Sequence, residues 1–152
     1  MRKGFTLIEI LVSLTLLVLL FGIYVVVANP VGQLMSARNT ERKFQLLAIL
    51  NYITQNVADH GNTQFGCATG PLPSSSVVMA SGGATGTYDI APCLIPTYAA
   101  ILPFDPSASS SYYNSPTDYN TGYNISINTS GTLITLTAPS AEAGKAVSVS
   151  GW

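Results

Sequence analysis

The chain opens with a long run of apolar residues. From Phe5 to Ala28 the run is 24 residues long, and its only charged side chain is Glu9. As a helix it would span about 36 Å at roughly 1.5 Å per residue, which is enough to cross a bilayer core. Arg2 and Lys3 precede the run, so the positive-inside rule places the N-terminus in the cytoplasm. The pattern therefore predicts a transmembrane helix.

Two simpler interpretations of this run are a cleaved secretory signal and a plain single-span anchor. A signal sequence usually has only about 7–15 apolar residues, and a glutamate does not belong among them. A carboxylate inside a membrane span costs roughly 2.5–3.5 kcal/mol on insertion scales. Glu9 therefore needs a role that offsets this cost, which neither simpler interpretation supplies.

Helical periodicity resumes after Pro30 in an amphipathic form. Apolar residues recur at helical spacing at Leu46, Leu50, Ile53 and Val57. The charged residues Arg38, Glu41, Arg42 and Lys43 are expected on a solvated face. Gly61 follows as a stop signal. We predict one long helix from about Thr6 to His60, kinked near Pro30, with a membrane half over residues 5–29 and an amphipathic half over 30–60.

Beyond the helix the pattern changes to loop and then to strand. Residues 61–97 are rich in Gly, Ser, Pro and Thr, and they predict an irregular loop in which Val77–Met79 is a candidate strand. Apolar residues then alternate with polar ones on both sides of Asn128–Gly131, which predicts a β-hairpin. Ala146–Ser150 is a candidate third strand. The predicted fold class is α+β, with a small antiparallel sheet in a head over residues 98–152 that packs on the helix.

Composition narrows the function classes. Charged residues make up only 9% of the chain, and the net charge is −1. No basic field is present to attract nucleic acid, so a nucleic-acid partner is not indicated. The polar surface comes mainly from Ser, Thr, Asn, Gly and Tyr, which is typical of exported proteins.

Catalytic chemistry has little support in the sequence. His60 is the sole histidine, and it lies at a predicted helix end. The chain lacks a G-x-S-x-G motif and a phosphate-binding glycine loop followed by a helix. We therefore expect no enzyme activity and no cofactor, although a membrane-tethered hydrolase is the alternative from another class.

The segment K-G-F-T-L-I-E (Lys3–Glu9) resembles the prepilin cleavage motif of type IV pilins and type II secretion pseudopilins. The motif combines a glycine before the scissile bond, an aromatic residue after it, and a glutamate four residues further on. The order of helix, loop and hairpin also resembles the pilin layout. L-P-F-D-P (Leu102–Pro106) is similar to a segment of major pseudopilins, whereas the tail lacks their acidic C-terminal loop.

This resemblance implies a maturation route. Residues 1–4 would be a leader that a prepilin peptidase removes by cutting between Gly4 and Phe5, with Phe5 then N-methylated. The mature chain would be a single-pass inner-membrane protein with its head outside the cytoplasm. An inner-membrane assembly platform would then draw it into a periplasmic or extracellular filament.

Glu9 is the expected assembly residue in this scheme. Cleavage exposes an α-amine on Phe5, and such an amine is largely cationic at neutral pH. Phe5 and Glu9, four residues apart, would partly neutralise each other on one helical face of the free subunit. In a filament Glu9 would instead pair with the Phe5 amine of a neighbouring subunit and so fix the axial register. The alternative is a glutamate that only reaches back to the membrane surface.

The extracytoplasmic location leads to a prediction about Cys67 and Cys93, because disulfides persist outside the cytoplasm. The two cysteines bracket the least regular part of the chain. We predict a disulfide between them; two unpaired buried thiols are the alternative.

Calcium is the one metal that the sequence suggests. Asp105 and Asp118 share a loop with several other oxygen-bearing side chains, and the major pseudopilins that this loop resembles bind calcium nearby. Two carboxylates are few for a cation that takes six to eight oxygens. Asp and Asn also favour turns for purely local reasons, so a solvated loop is the alternative.

The leading functional hypothesis is a structural subunit, a pilin or pseudopilin that polymerises through its N-terminal helix. The alternative within the same family is a minor subunit at the filament tip, used for adhesion or DNA uptake, whose loop over residues 61–96 contacts the target. The sequence does not separate these two.

Overall fold

The computed structural model describes residues 4–61 and 64–152. Within these ranges two helices, α1 (Leu7–Ala28) and α2 (Pro30–Asp59), precede a sheet of six strands. A short helix lies between the second and third strands in chain order. The later elements are β1 (Val77–Ala80), β2 (Thr87–Tyr88), α3 (Ala91–Leu94), β3 (Tyr112–Ser115), β4 (Asp118–Ile127), β5 (Ile134–Ala138) and β6 (Val147–Gly151). The chain forms two compact units, one ending at Met35 and one from Ser36 to Trp152. The α+β layout of a helix followed by a small sheet is the predicted one.

A single residue interrupts the N-terminal helix. Asn29 has left-handed backbone angles, φ 39° and ψ 63°, while Pro30 already begins α2. A proline disfavours the α conformation in the residue before it, and asparagine tolerates the left-handed region better than most residues. The Asn29 side-chain oxygen accepts a hydrogen bond from the backbone N–H of Gly32 at 3.2 Å. The predicted long helix is thus present over Leu7–Asp59, and the kink expected near Pro30 takes the form of an interruption at the single residue Asn29.

The sheet has the strand order β2-β1-β4-β5-β6, with β3 also paired to β4. All its pairings are antiparallel except β1 with β2, which is parallel. The sheet is therefore mixed, which corrects the prediction of a purely antiparallel one. It also begins earlier than residue 98, because β1 and β2 come from the segment that was expected to be mostly loop.

The hairpin is the strongest strand signal in the sequence, and the structure confirms it. β4 and β5 pair with Ile125 opposite Leu136 and Ile127 opposite Ile134. The connection contains Gly131 at φ 68°, a left-handed angle that favours glycine. Burial alternates along both strands, as the period-two pattern predicts.

The apolar side of α2 packs on the sheet. The predicted stripe is buried in full, and Ile49 joins it in the same core as the apolar residues of β4 and β5. One residue departs from the prediction: Arg42 was expected on the solvated face but is 0% exposed. The reason is a set of ionic partners far away in the sequence, described below.

Candidate functional site

The segment with the predicted cleavage position is exposed. Gly4, Phe5 and Thr6 precede α1 without regular structure, and all three are exposed. A Cβ built on Gly4 would meet no atom within 4 Å. The peptide bond between Gly4 and Phe5 is therefore accessible on the surface of the chain.

Thr6 sets the start of α1. Its backbone is extended at φ −82° and ψ 152°, and its side-chain oxygen accepts a hydrogen bond from the Glu9 backbone N–H at 3.3 Å. This is the N-cap half of a capping box, in which Thr or Ser is followed three residues later by Glu or Gln. The residues T-L-I-E (Thr6–Glu9) carry this capping signal in the sequence itself.

Glu9 consequently lies in the first turn of α1, where the unpaired N–H groups and the helix dipole favour a carboxylate. Ser13 donates its hydroxyl to the Glu9 backbone carbonyl at 2.7 Å. Because Thr6 caps the helix with an extended backbone, Phe5 lies outside α1. In the chain that still carries residues 1–4, Phe5 and Glu9 thus do not share a helical face, and their pairing in the cleaved subunit stays a prediction.

The rest of α1 presents apolar side chains on all sides. None of its residues is buried, and the exposed fraction of Leu7 is 83%. In the described part of the chain, the helical stretch Leu7–Asp59 is the one long and apolar enough, by length and composition, to cross a membrane. An uncovered apolar surface of this extent requires lipid or other protein around it. It fits a membrane-anchored N-terminus.

The head contains the predicted disulfide. Cys67 and Cys93 are bonded to each other, with their Cα atoms 4.9 Å apart. Asn56 of α2, which is buried, holds both ends of this closure. Its amide nitrogen donates to the carbonyls of Gly66 at 3.0 Å and Cys93 at 3.1 Å, and its oxygen accepts from the Gly66 N–H at 2.8 Å.

A buried ionic cluster lies near the N-terminal end of the part of α2 that belongs to the head. Arg42 makes two parallel hydrogen bonds to Asp105, from Nε to Oδ2 at 2.8 Å and from Nη2 to Oδ1 at 3.1 Å. Both side chains are 0% exposed. Arg42 Nη1 also donates to Asn39 Oδ1 at 2.7 Å and to Glu142 Oε2 at 3.3 Å. One guanidinium therefore joins α2 to two distant loops.

The remaining polar atoms of the cluster are also paired. Asp105 Oδ1 accepts from the backbone N–H groups of Ser107 at 2.9 Å and Ala108 at 3.0 Å. Glu142 is held on its backbone by the Asn39 side chain and on its carboxylate by Arg38 at 2.9 Å. A buried charge is tolerated only when it is paired and hydrogen-bonded in this manner.

The cluster shifts the pKa values of Arg42 and Asp105. The hydrogen bond to Asp105 raises the pKa of the Arg42 guanidinium, although burial opposes this. Burial alone would raise the pKa of the Asp105 carboxyl, but hydrogen bonds from Arg42, Ser107 and Ala108 outweigh it and hold that pKa below its usual range. Both groups are therefore charged at neutral pH.

The calcium candidates lie in different surroundings. The Asp105 carboxylate is hydrogen-bonded to Arg42. Asp118 is exposed and accepts a hydrogen bond from the Asn114 amide at 2.9 Å. The described residues contain no group of three or more His, Cys, Asp or Glu side chains placed to hold a metal ion. Calcium binding at Asp118 stays a prediction.

Comparison with known proteins adds one finding. Residues 1–25 match the family model described as the prokaryotic N-terminal methylation motif. This is the prepilin motif of type IV pilins and pseudopilins, and it implies processing by a prepilin peptidase. The proteins that carry it are structural rather than enzymatic. No curated protein and no solved structure matches the chain.

Proposed function

We propose that this chain is a structural subunit, a pilin or pseudopilin, that polymerises through its N-terminal helix into a filament outside the cytoplasm. The observation that supports this best is the methylation motif at the start of an exposed, apolar helix with a single carboxylate. The two features belong together, because the motif provides for removal of the charged leader and the helix provides the surface that polymerises.

The proposed maturation removes the leader, residues 1–4. A prepilin peptidase cuts between Gly4 and Phe5, and the new N-terminus is methylated. Removal of Arg2 and Lys3 eliminates the charges that retain the N-terminus at the cytoplasmic side. An assembly platform in the inner membrane can then draw α1 out of the bilayer.

Glu9 provides the register of the filament in this proposal. Among the apolar helices of a filament, an unpaired carboxylate is far more costly than a paired one. Glu9 of one subunit is therefore expected to meet the Phe5 amine of its neighbour. The extended backbone at Thr6 keeps Phe5 outside the helix, which favours a partner on another subunit over one on the same helical face.

A minor subunit at the filament tip is the second candidate. An open groove of about 550 Å³ runs beside the disulfide and is lined by Phe65, Leu72, Ile127 and Trp152, among others. Such a groove suits a neutral or apolar ligand, and none of the described residues that line it is a cation that would attract nucleic acid. Antibody labelling distinguishes the two roles, since a major subunit is found along purified filaments and a tip subunit only at their ends.

The cleavage step is tested by the mass of the mature protein. We predict a chain that begins at Phe5 and carries one N-methyl group, and we predict that Gly4→Leu remains uncut because the side chain blocks access to the scissile bond. Gly22→Leu is the matched control: Gly22 also has open space around it but lies deep in α1, so this variant is expected to be cut normally. Mature protein that still begins at Met1, or normal cutting of Gly4→Leu, would contradict the proposal.

A further inference from the structure

The sheet of the head has an outer face that points away from α2. On β4, β5 and β6 the buried residues Ile125, Leu136 and Val149 belong to the core that the sheet shares with α2. Side chains alternate along a strand, so the residues between them point to the opposite side. These outward residues are Asn124 and Ser126 on β4, Thr135 and Thr137 on β5, and Ser148 and Ser150 on β6. All six are partly or fully exposed, and each carries a hydroxyl or an amide group.

The strand register arranges these six side chains in two rows that cross three strands. One row joins Ser126, Thr135 and Ser150, and the other joins Asn124, Thr137 and Ser148. Neighbouring strands lie about 4.8 Å apart, and outward residues of one strand recur about every 6.8 Å. We call this regular array of six side chains the polar face.

Most hydrogen-bonding groups of the polar face have no partner within the described part of the chain. One side-chain hydrogen bond lies within the face, between the hydroxyls of Thr135 and Ser150 at 3.1 Å. The side-chain oxygen of Asn124 is buried and accepts no hydrogen bond from a described residue. Because a hydroxyl supplies one donor and two acceptor positions, the face presents a dense set of donors and acceptors that a partner can use.

The polar face carries no charge, and this restricts the kind of partner that it suits. Among the residues of the six described strands, Asp118 at the start of β4 is the only charged one. Nucleic acid and anionic lipid are held by cations, which the face does not offer. Protein interfaces usually centre on aromatic, methionine or arginine side chains, and none of the six residues is of these types. The partner that matches the face is therefore neutral and rich in hydroxyl groups.

We propose that the polar face binds an extended, neutral polysaccharide of the cellulose type. Sugar hydroxyls both donate and accept, so they can exchange hydrogen bonds with Ser, Thr and Asn side chains without burying an unpaired charge. A single hydrogen bond contributes little net affinity, so a polymer whose hydroxyls repeat is favoured over a single sugar. The inference goes beyond the proposed filament and does not depend on it, because the face lies wholly in the unit from Ser36 to Trp152.

The test uses the full chain in detergent micelles. The chain is mixed with microcrystalline cellulose or, as a charged polysaccharide for comparison, with alginate beads, and the fraction that stays in the supernatant is measured. We expect retention on cellulose that is the same at low and high salt, because salt screens charges and the face has none, and we expect weaker retention on alginate. No retention on cellulose, retention that high salt abolishes, or stronger retention on alginate would overturn the inference.

Matched variants locate the binding surface. Thr135→Val combined with Thr137→Val removes two hydroxyls from the central strand of the face but keeps the β-branched shape, and we expect affinity for cellulose to fall by about fivefold or more. Thr135→Ser with Thr137→Ser keeps both hydroxyls and should retain binding. Thr40→Val with Thr54→Val removes two hydroxyls at exposed positions of α2, and this control should bind as the wild type does.

A second pair of substitutions gives an independent measurement on another strand. Ser148→Ala with Ser150→Ala removes two exposed hydroxyls of β6 and is expected to weaken retention in the same way. The melting temperature of each variant shows whether its head remains folded. Wild-type retention by either folded variant of the face that lacks hydroxyls, or an equal loss in the α2 control, would overturn the inference. Filament assembly is measured separately, so these results leave the proposed function intact.

Discussion

Arg42 and Asp105 form the most confined charge pair of the head. Both side chains have no solvent exposure, and two parallel hydrogen bonds join them. Replacing such a pair with apolar residues is often neutral, whereas removing one partner leaves an uncompensated buried charge.

The first prediction concerns loss of one partner. Asp105→Ala leaves the Arg42 guanidinium buried without its main acceptor, so we expect the free energy of unfolding to fall by about 3–5 kcal/mol. Asp118→Ala, at an exposed aspartate, should change it by less than about 0.5 kcal/mol. Urea unfolding of the full chain in detergent measures both. Equal effects of the two variants would show that the cluster does not stabilise the fold.

The second prediction concerns acid. The pKa of Asp105 is lower in the folded head than its ordinary value. Its stabilising contribution is therefore fully present above the unfolded pKa, about 3.9, and is lost as the pH falls through the folded value. Stability is measured between pH 7 and pH 2 for both proteins. Below about pH 4 it should decline less steeply in Asp105→Asn than in the wild type. An unchanged slope in this variant, with Asp118→Asn as control, would contradict the assigned pKa shift.

The sequence could not predict this cluster. Periodicity assigned Arg42 to a solvated face because arginine usually lies there. Its partner Asp105 is 63 positions away, and Glu142 is 100 positions away, so no local pattern relates them. The sequence suggests Asp105 only as an oxygen ligand, since a carboxylate does not reveal from sequence whether a metal ion or an arginine faces it.

At the scale of elements, the disulfide and Asn56 together fix the segment between α2 and α3. The segment from Cys67 to Cys93 has a sequence separation of 26 and contributes only the short strands β1 and β2 to the sheet. Closing a loop of this length removes conformations from the unfolded chain. The disulfide joins Cys67 to Cys93, and the hydrogen bonds of Asn56 hold Gly66 and Cys93. Both therefore restrain the same two ends of the segment.

We therefore predict that Cys67→Ser combined with Cys93→Ser lowers the free energy of unfolding by about 3–4 kcal/mol. Reduction of the wild type with dithiothreitol should lower it by a similar amount and should have no effect on the variant. Urea unfolding in detergent measures each case. A wild-type stability that does not respond to reduction would contradict this role of the disulfide.

The elements differ in how well the sequence predicts them. α2 has a clear helical period over ten residues, and β4 and β5 have alternating apolar and polar residues on either side of a hairpin turn. The structure confirms all three elements. β2 is only two residues long, and its parallel pairing with β1 depends on the path of the whole loop, so neither had a local signal. The break at Asn29 required combining two rules, for the residue before proline and for left-handed asparagine.

At the scale of the whole molecule, the two units differ in what stabilises them. The head is a folded unit with its own core, a disulfide and a buried ionic cluster. The unit up to Met35 includes α1, which buries none of its apolar side chains, so its stability depends on a membrane or on other helices. The proposed filament supplies the second of these environments once the leader is removed.

The central claim, that Glu9 directs polymerisation, is tested most directly by filament assembly of a Glu9→Ala variant. Glu41→Ala, at an exposed glutamate of α2, is the matched control. Filaments are sheared from cells and quantified beside the processed subunit that remains in the membrane. We predict that Glu9→Ala is cut, methylated and stable in the membrane but forms no filaments unless wild-type subunits are present, while Glu41→Ala assembles normally. Normal filaments from Glu9→Ala alone would contradict the account.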